Sequence, residues 1–193
     1  NVLAQAGDVT SEKDMEALRD AALEKFGRID GLVNAAGGNV AKATVGPQGS
    51  FFDVPVEAVR EVVDMNLIGT VLPCIVLGRI IAQNGGVIVN ISSMAAEKAT
   101  ITRGMGYSAS KAAVTNFTRW LAVEMAKKFG EKVRVNALAP GWVLTEKQLE
   151  MWAEPDKLEA HLARQCLKEH LKPEDIVGAA LFLASRASRM MTG

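Results

Sequence analysis

Gly86-Val-Ile-Val-Asn-Ile-Ser-Ser93 is the stretch on which the fold turns. Its core is nearly continuous in apolar and β-branched residues, without the polar–apolar alternation of a strand that has one wet face. A strand of that kind has to be covered on both sides, which is the environment of a parallel sheet between helices. The segments on either side agree. Upstream, a long helix begins near Pro55, with a kink expected at Pro73. Downstream, after an irregular stretch, a helix runs from about Tyr107 to Phe129, and Val133 to Ala139 repeats the strand pattern before Pro140-Gly141 stops it. Nearer the start, Ile29 to Asn34 reads as a short strand and Val2 to Ala6 as another. Between them Ser11 and Asp14 resemble a capping box, opening a helix that ends near Phe26 and Gly27. A polar, Trp-containing helical segment spans roughly Thr145 to Lys168, and Pro173 opens a last helix to about Ser185.

This alternation predicts an α/β fold, a doubly wound parallel sheet in three layers, with residues 1–193 as one domain. In such sheets ligands collect beyond the carboxyl ends of the strands. Asp8, Asn34 to Gly37, Ser92, Ser93 and the run from Pro140 to Thr145 all follow directly on a strand.

Composition narrows the partners. Lys plus Arg and Asp plus Glu number 22 each, so no basic field is available to draw in nucleic acid or an anionic membrane. Cys74 and Cys166 make no disulfide framework and no CxxC, and His161 and His170 have no partners at metal spacing, so no metal is expected. The longest apolar stretch, Leu67 to Ala82, is interrupted by Pro73 and Arg79 and falls short of a membrane span. No signal-peptide pattern is present, and a cytoplasmic protein acting on small molecules is expected, associating with copies of itself. The start at Asn1 and the segment ending at Gly193 suggest a chain cut at both ends.

Tyr107-Ser-Ala-Ser-Lys111 is the strongest chemical signal. Four residues apart at the start of a helix, the phenol and the ammonium share one face. A free tyrosine titrates near about pH 10, and lowering that by about 3 units requires roughly 4 kcal/mol in favour of the phenolate. A cation about 4 Å away at an effective dielectric near 20 supplies roughly that much. The pair therefore suits proton transfer at neutral pH; alone, it is more often the signature of a packed Tyr beside an exposed Lys. Ser92 and Ser93 bring hydroxyls to the sheet edge, one expected to satisfy loop backbone and the other, Ser93, to face substrate. Asn66 shares an apolar helical stripe with Val59, Val62, Val63 and Thr70, either as a tie between helix and loop or as a helix distortion that positions a water. The small residues Asn34-Ala35-Ala36-Gly37 let a ligand approach the backbone. Asp8 is either a helix cap or an acceptor for an adenine edge.

Taken in order, Asp8-Val9, Asn34-Ala35-Ala36-Gly37, Asn66, Ser93, Tyr107 with Lys111, and Pro140-Gly141 with Thr145 resemble the short-chain dehydrogenase/reductase family in its compact single-domain branch. The resemblance spans essentially the whole chain. It implies a Rossmann-type fold, a nicotinamide cofactor (NAD or NADP) and a homo-oligomer, dimer or tetramer, built on the helices at 55–82 and 107–129. It also implies a tetrad in which Tyr107 is the acid/base and Lys111 assists it while holding the nicotinamide ribose. Ser93 would hold the reacting oxygen and Asn66 a proton-relay water. Asp8 and Val9 would meet adenine, Asn34, Ala35, Ala36 and Gly37 would line the cofactor channel, and Pro140, Gly141, Val143 and Thr145 would flank the nicotinamide.

The chain departs from the family pattern in three places. No GxGxxG occurs, so the first βαβ unit with its phosphate loop is missing, and the chain alone is expected to bind cofactor poorly. Ala35 stands where a second Asn is usual, and the loop between Ser93 and Tyr107 is about one residue longer. The run Gly46 to Phe52 looks like members acting on keto-sugar acids such as fructuronate or mannonate. Gly141 to Lys147 and Gln165 to Gly193 look like sugar dehydrogenases, and Trp142 and Trp152 offer an apolar wall for a sugar. An epimerase or dehydratase of the extended branch, or a non-catalytic cofactor-binding relative, is the competing expectation.

Overall fold

The computed structural model describes residues 2–46, 48–98, 104–144, 159, 162–163 and 165–193. Strands β1 (Gly31–Asn34), β2 (Gly86–Ile91) and β3 (Val133–Leu138) form a parallel sheet in the order β1-β2-β3. Asn34 pairs with Asn90 and Ile91 with Leu138, so the strands finish close to one another along one edge.

The layers follow from the two faces of β2. Ile88 packs with Val133, Val135, Cys74, Ile81, Ala82, Leu121 and Ala122 on one side, where α3 (Gly69–Val76), α4 (Gly78–Asn84) and α5 (Met105–Phe129) lie. Val87 and Val89 turn to the other side and meet Leu183 of α6 (Pro173–Ala184). Both faces of the strand are thus buried against helices, as its unbroken apolar run requires. The protein has the expected α/β, Rossmann-like arrangement of a parallel sheet flanked by helices. Among the described residues no single helix is long and apolar enough to cross a membrane.

Three local expectations are corrected. Residues 2–6 form no strand, and Val2 is 83% exposed; a strand needs a neighbour to complete its ladder, and no described strand lies beside it. The capping box is only half made. Ser11 Oγ accepts from Asp14 N at 3.3 Å at the head of α1 (Glu12–Phe26), but the Asp14 carboxylate accepts from Asp8 N at 2.9 Å instead. Ser11 N already donates to Asp8 O at 3.0 Å, and Asp is shorter than the Glu that normally completes the box. The C-terminus of α1 does close as read, on Gly27 at φ 74°.

The long helix is also reshaped. It comprises α2 (Val56–Val63), a π-helical turn over Asp64–Ile68, then α3 and α4. Its bend of 42° falls between Val76 and Gly78 rather than at Pro73, which sits inside α3. Pro73 crowds the carbonyl of Gly69, directly after the widened turn. The axis breaks one turn later, where Gly78 sits against Ile88 of β2. The polar segment from Thr145 to Lys168 lies largely outside the described residues, Thr145 and Trp152 included.

The sheet admits no side chain at the first residue of β2. A Cβ on Gly86 would overlap the Asp30 carbonyl oxygen and lie 2.9 Å from Ile81 Cγ2, at φ 159°. Gly86→Ala is expected to destabilise the fold by about 3 kcal/mol or more, read as a lowered urea midpoint.

Candidate active site

The C-terminal end of β2 organises the site. Lys111, one turn into α5 from Tyr107, is 4% exposed and its Nζ donates to Ile91 O at 2.8 Å. That carbonyl is the only acceptor the ammonium meets among the described residues, which leaves two of its N–H groups unused. Burial pushes the Lys111 pKa down from 10.5 to about 8, because an apolar surround disfavours the charged form. The ammonium stands 5.9 Å from the centroid of the Tyr107 ring. Tyr107 packs on the cluster of Ala43, Ala58 and Val62, an apolar seat supplied largely by α2.

Asn66 lies in the π turn and is fully buried. Its Nδ2 donates to Gly38 O and to Val62 O, both at 2.7 Å, and its Oδ1 accepts from Gly38 N at 3.1 Å. Asn66 therefore ties helix to loop from within a helix distortion. Thr70 Oγ1 donates to Asn66 O at 2.8 Å. Gly37 closes this corner. A Cβ there would stand 2.6 Å from Asn66 Oδ1 and 3.3 Å from Lys111 Nζ, so only glycine admits both.

The two serines have different partners, and it is Ser93, not Ser92, that takes a loop backbone N–H. Ser92 is buried, its Oγ 3.1 Å from Lys111 O and sharing a hydrogen bond with Thr115 Oγ1 at 2.6 Å. Ser93 is half-buried, and its Oγ accepts from Ala95 N at 3.1 Å, which leaves its O–H proton to donate elsewhere. Pro140 and Gly141 adjoin it: Met94 N donates to Pro140 O at 3.0 Å, and Gly141 faces Met94 Sδ. Val143 is drawn aside into a parallel bridge with Leu171. Among the described residues no group of three or more His, Cys, Asp or Glu could hold a metal ion.

Other residues are placed differently from one another. The Asn34 side chain turns into the core, donating to Asn90 Oδ1 at 2.8 Å and Cys74 Sγ at 3.2 Å, so only its backbone is presented at the strand end. Ala35, Ala36 and Gly37 are exposed. Asp8 lies on the rim of a cleft of about 490 Å³ lined by Thr10, Glu57, Arg60, Glu61, Asp64 and Met65. Hydrogen bonds from the Thr10 backbone and hydroxyl hold its carboxyl below the usual range. Val9 packs onto Gly69, where a Cβ would come within 2.7 Å of its Cγ2.

A buried amide relay went unread in the sequence. Asn90 Nδ2 donates to Thr118 Oγ1 at 2.9 Å, which continues the Asn34 bond across the sheet into α5. Its signal was available: each strand carries one Asn near its end, Asn34, Asn90 and Asn136.

Comparison with known proteins agrees with this architecture. A family model described as enoyl-(acyl carrier protein) reductase matches residues 2–193. The chain is 36% identical to the 7alpha-hydroxysteroid dehydrogenase of Escherichia coli K12 over 96% of its own length and 68% of the relative's. It is 37% identical to the D-threitol dehydrogenase of Mycolicibacterium smegmatis, over 97% and 68% of the two chains. The crystal structure of an NAD+-bound xylitol dehydrogenase superposes with a TM-score of 0.85 at 27% identity, covering 97% of this chain and 74% of that one.

The buried ammonium has a measurable cost. In the folded chain Lys111 releases its proton near pH 8, and in the unfolded chain near 10.5. Below pH 8 both states carry the charge and the native state bears the full desolvation penalty, roughly 3 kcal/mol. Between those values the unfolded state binds the extra proton, so stability rises with pH. Lys111→Met should therefore be more stable than the parent at pH 7, by up to that amount. The gap should shrink from pH 8 to 10.5 in denaturant titrations.

Proposed function

Because the chain belongs to the short-chain dehydrogenase/reductase family of oxidoreductases, which act on CH–OH donors, we propose that it interconverts a secondary alcohol and a carbonyl on a sugar, polyol or sugar acid. The observation that carries this reading is the convergence of Tyr107, Lys111, Asn66 and Gly37 beside the end of β2, with Ser93 on the same strand end. We read the chain as one domain of an enzyme using NAD or NADP.

The residues fit a nicotinamide dinucleotide on two counts. Lys111 has two unused N–H donors that suit ribose hydroxyls, and the missing side chain at Gly37 leaves the backbone open to close approach. When bound, the cofactor exchanges a hydride with the carbinol carbon. The protein's part is proton transfer and placement. Tyr107 Oη takes the hydroxyl proton in oxidation and returns it in reduction. Ser93 donates its free O–H to the reacting oxygen, stabilising negative charge there. Lys111 supplies a cation beside the phenol, and Asn66 holds the 37–38 loop against the helix. Asp8 and Val9 border the adenine end, while Ala35, Ala36, Pro140, Gly141 and Val143 complete the cofactor's walls.

The polyol and sugar reading is supported by the threitol and xylitol dehydrogenases among the relatives, and by the sequence runs Gly46 to Phe52 and Gly141 to Lys147. Exposed Ile75 on α3 and Trp120 and Val123 on α5 support a homo-oligomer through these helices.

In the protein expressed from its full open reading frame, Tyr107→Phe is expected to lower kcat by about a thousandfold while cofactor affinity stays within about threefold. Retention of more than a tenth of the parent rate would overturn the mechanism. In a panel of polyols, sugars, uronates and a hydroxysteroid, the highest kcat/KM is expected on a polyol or sugar acid. A hydroxysteroid optimum would contradict the substrate class.

A further inference from the structure

Ser92 lies beside the reacting centre without reaching it. Its hydroxyl, the Thr115 hydroxyl and the Lys111 carbonyl form a closed triangle of 3.1, 3.1 and 2.6 Å. Two hydroxyl hydrogens serve three contacts, so one hydroxyl donates to Lys111 O and the other donates to the first. Ser92 is 2% exposed, and Thr115 is half-buried. An i−4 bond from Thr115 to Lys111 O is ordinary within a helix. The bond from Ser92 is not, since it crosses from the end of β2 to the second turn of α5.

Lys111 is thereby gripped at both ends by consecutive residues of one strand. Ile91 O accepts from its Nζ at 2.8 Å, and Ser92 Oγ holds its main-chain carbonyl. The next residue is Ser93. The position of the ammonium relative to Ser93 and Tyr107 is therefore set by a short covalent path through residues 91–93, with little left to the length of the lysine side chain.

We propose that Ser92 and Thr115 are positioning residues, a hydroxyl clamp that fixes the Lys111 turn of α5 against the end of β2 and so sets the placement of the ammonium beside Tyr107. This rests on the oxidoreductase reading above. Neither hydroxyl faces substrate; both act through Lys111. Losing the clamp leaves Lys111 buried and hydrogen-bonded but free to shift along the helix axis, and sub-ångström shifts of a reacting group are expensive in rate.

The test is steady-state kinetics on the full enzyme with its best alcohol substrate. Ser92→Ala is expected to lower kcat between about tenfold and a hundredfold with the alcohol KM within about twofold. Thr115→Val, close in shape but without the hydroxyl, should lower kcat severalfold, and Thr115→Ser, which restores it, should stay within about twofold of the parent. Thr118→Val removes another buried hydroxyl one turn further along α5. It should lower the melting temperature but leave kcat within about twofold. Parent-like kcat in both Ser92→Ala and Thr115→Val overturns the proposal, and so does an equal fall in Thr118→Val, which would mark general loosening of the helix. If Tyr107→Phe is inactive while these outcomes occur, only the clamp fails. An active Tyr107→Phe removes the underlying reading itself.

Discussion

A buried ammonium at the end of the central strand is the constraint around which this structure is arranged. Lys111 is covered almost completely and finds its acceptor in a main-chain carbonyl rather than a carboxylate. Desolvation therefore goes largely uncompensated, and the pKa falls to about 8, which leaves the group mostly protonated at neutral pH. A protein tolerates such a penalty where the position of the charge matters more than its stability. The surrounding features follow from it. Gly37 has no side chain because Lys111 Nζ and Asn66 Oδ1 occupy that space, and the β2 edge offers both a carbonyl and a hydroxyl to hold the lysine.

The π turn at 64–68 is the second half of the arrangement. One extra residue in the helix rotates Asn66 inward, where its amide closes three hydrogen bonds with Gly38 and Val62. The loop after β1 is thereby fixed to the helix that also seats the Tyr107 ring. The end of β1, the π turn and α5 thus meet at one corner. Insertions of this kind are frequent at functional sites because they reorient a side chain without unfolding the helix.

Much of this was legible from residue types, and the rest was not for identifiable reasons. The apolar run of β2 announced a two-sided strand because burial on both faces leaves no room for alternation, and Tyr107 with Lys111 announced a shared face by helical spacing alone. The two hydroxyls at the strand end were legible, but their partners were not: Ser93 takes the backbone N–H of Ala95, and the buried partner of Ser92 comes from α5, distant in sequence. The π turn left no mark beyond an amide on an apolar stripe, since backbone register is decided by tertiary contacts. Residues 2–6 carry strand composition yet form none, because pairing depends on a neighbour rather than on propensity. The bend beyond Pro73 depended on where Gly78 meets Ile88, a packing fact. The Asn34–Asn90–Thr118 relay joins two strands to α5 through partners distant in sequence, which spacing along the chain does not reveal.

The central claim is that the sheet edge holds Lys111 as a desolvated ammonium. Side-chain NMR of lysine-labelled protein, with the Lys111 resonance assigned by its loss in Lys111→Arg, measures this directly. One lysine signal is expected to titrate near pH 8, well apart from the others. A Lys111 signal titrating at the ordinary lysine value, near pH 10.5, would contradict the account.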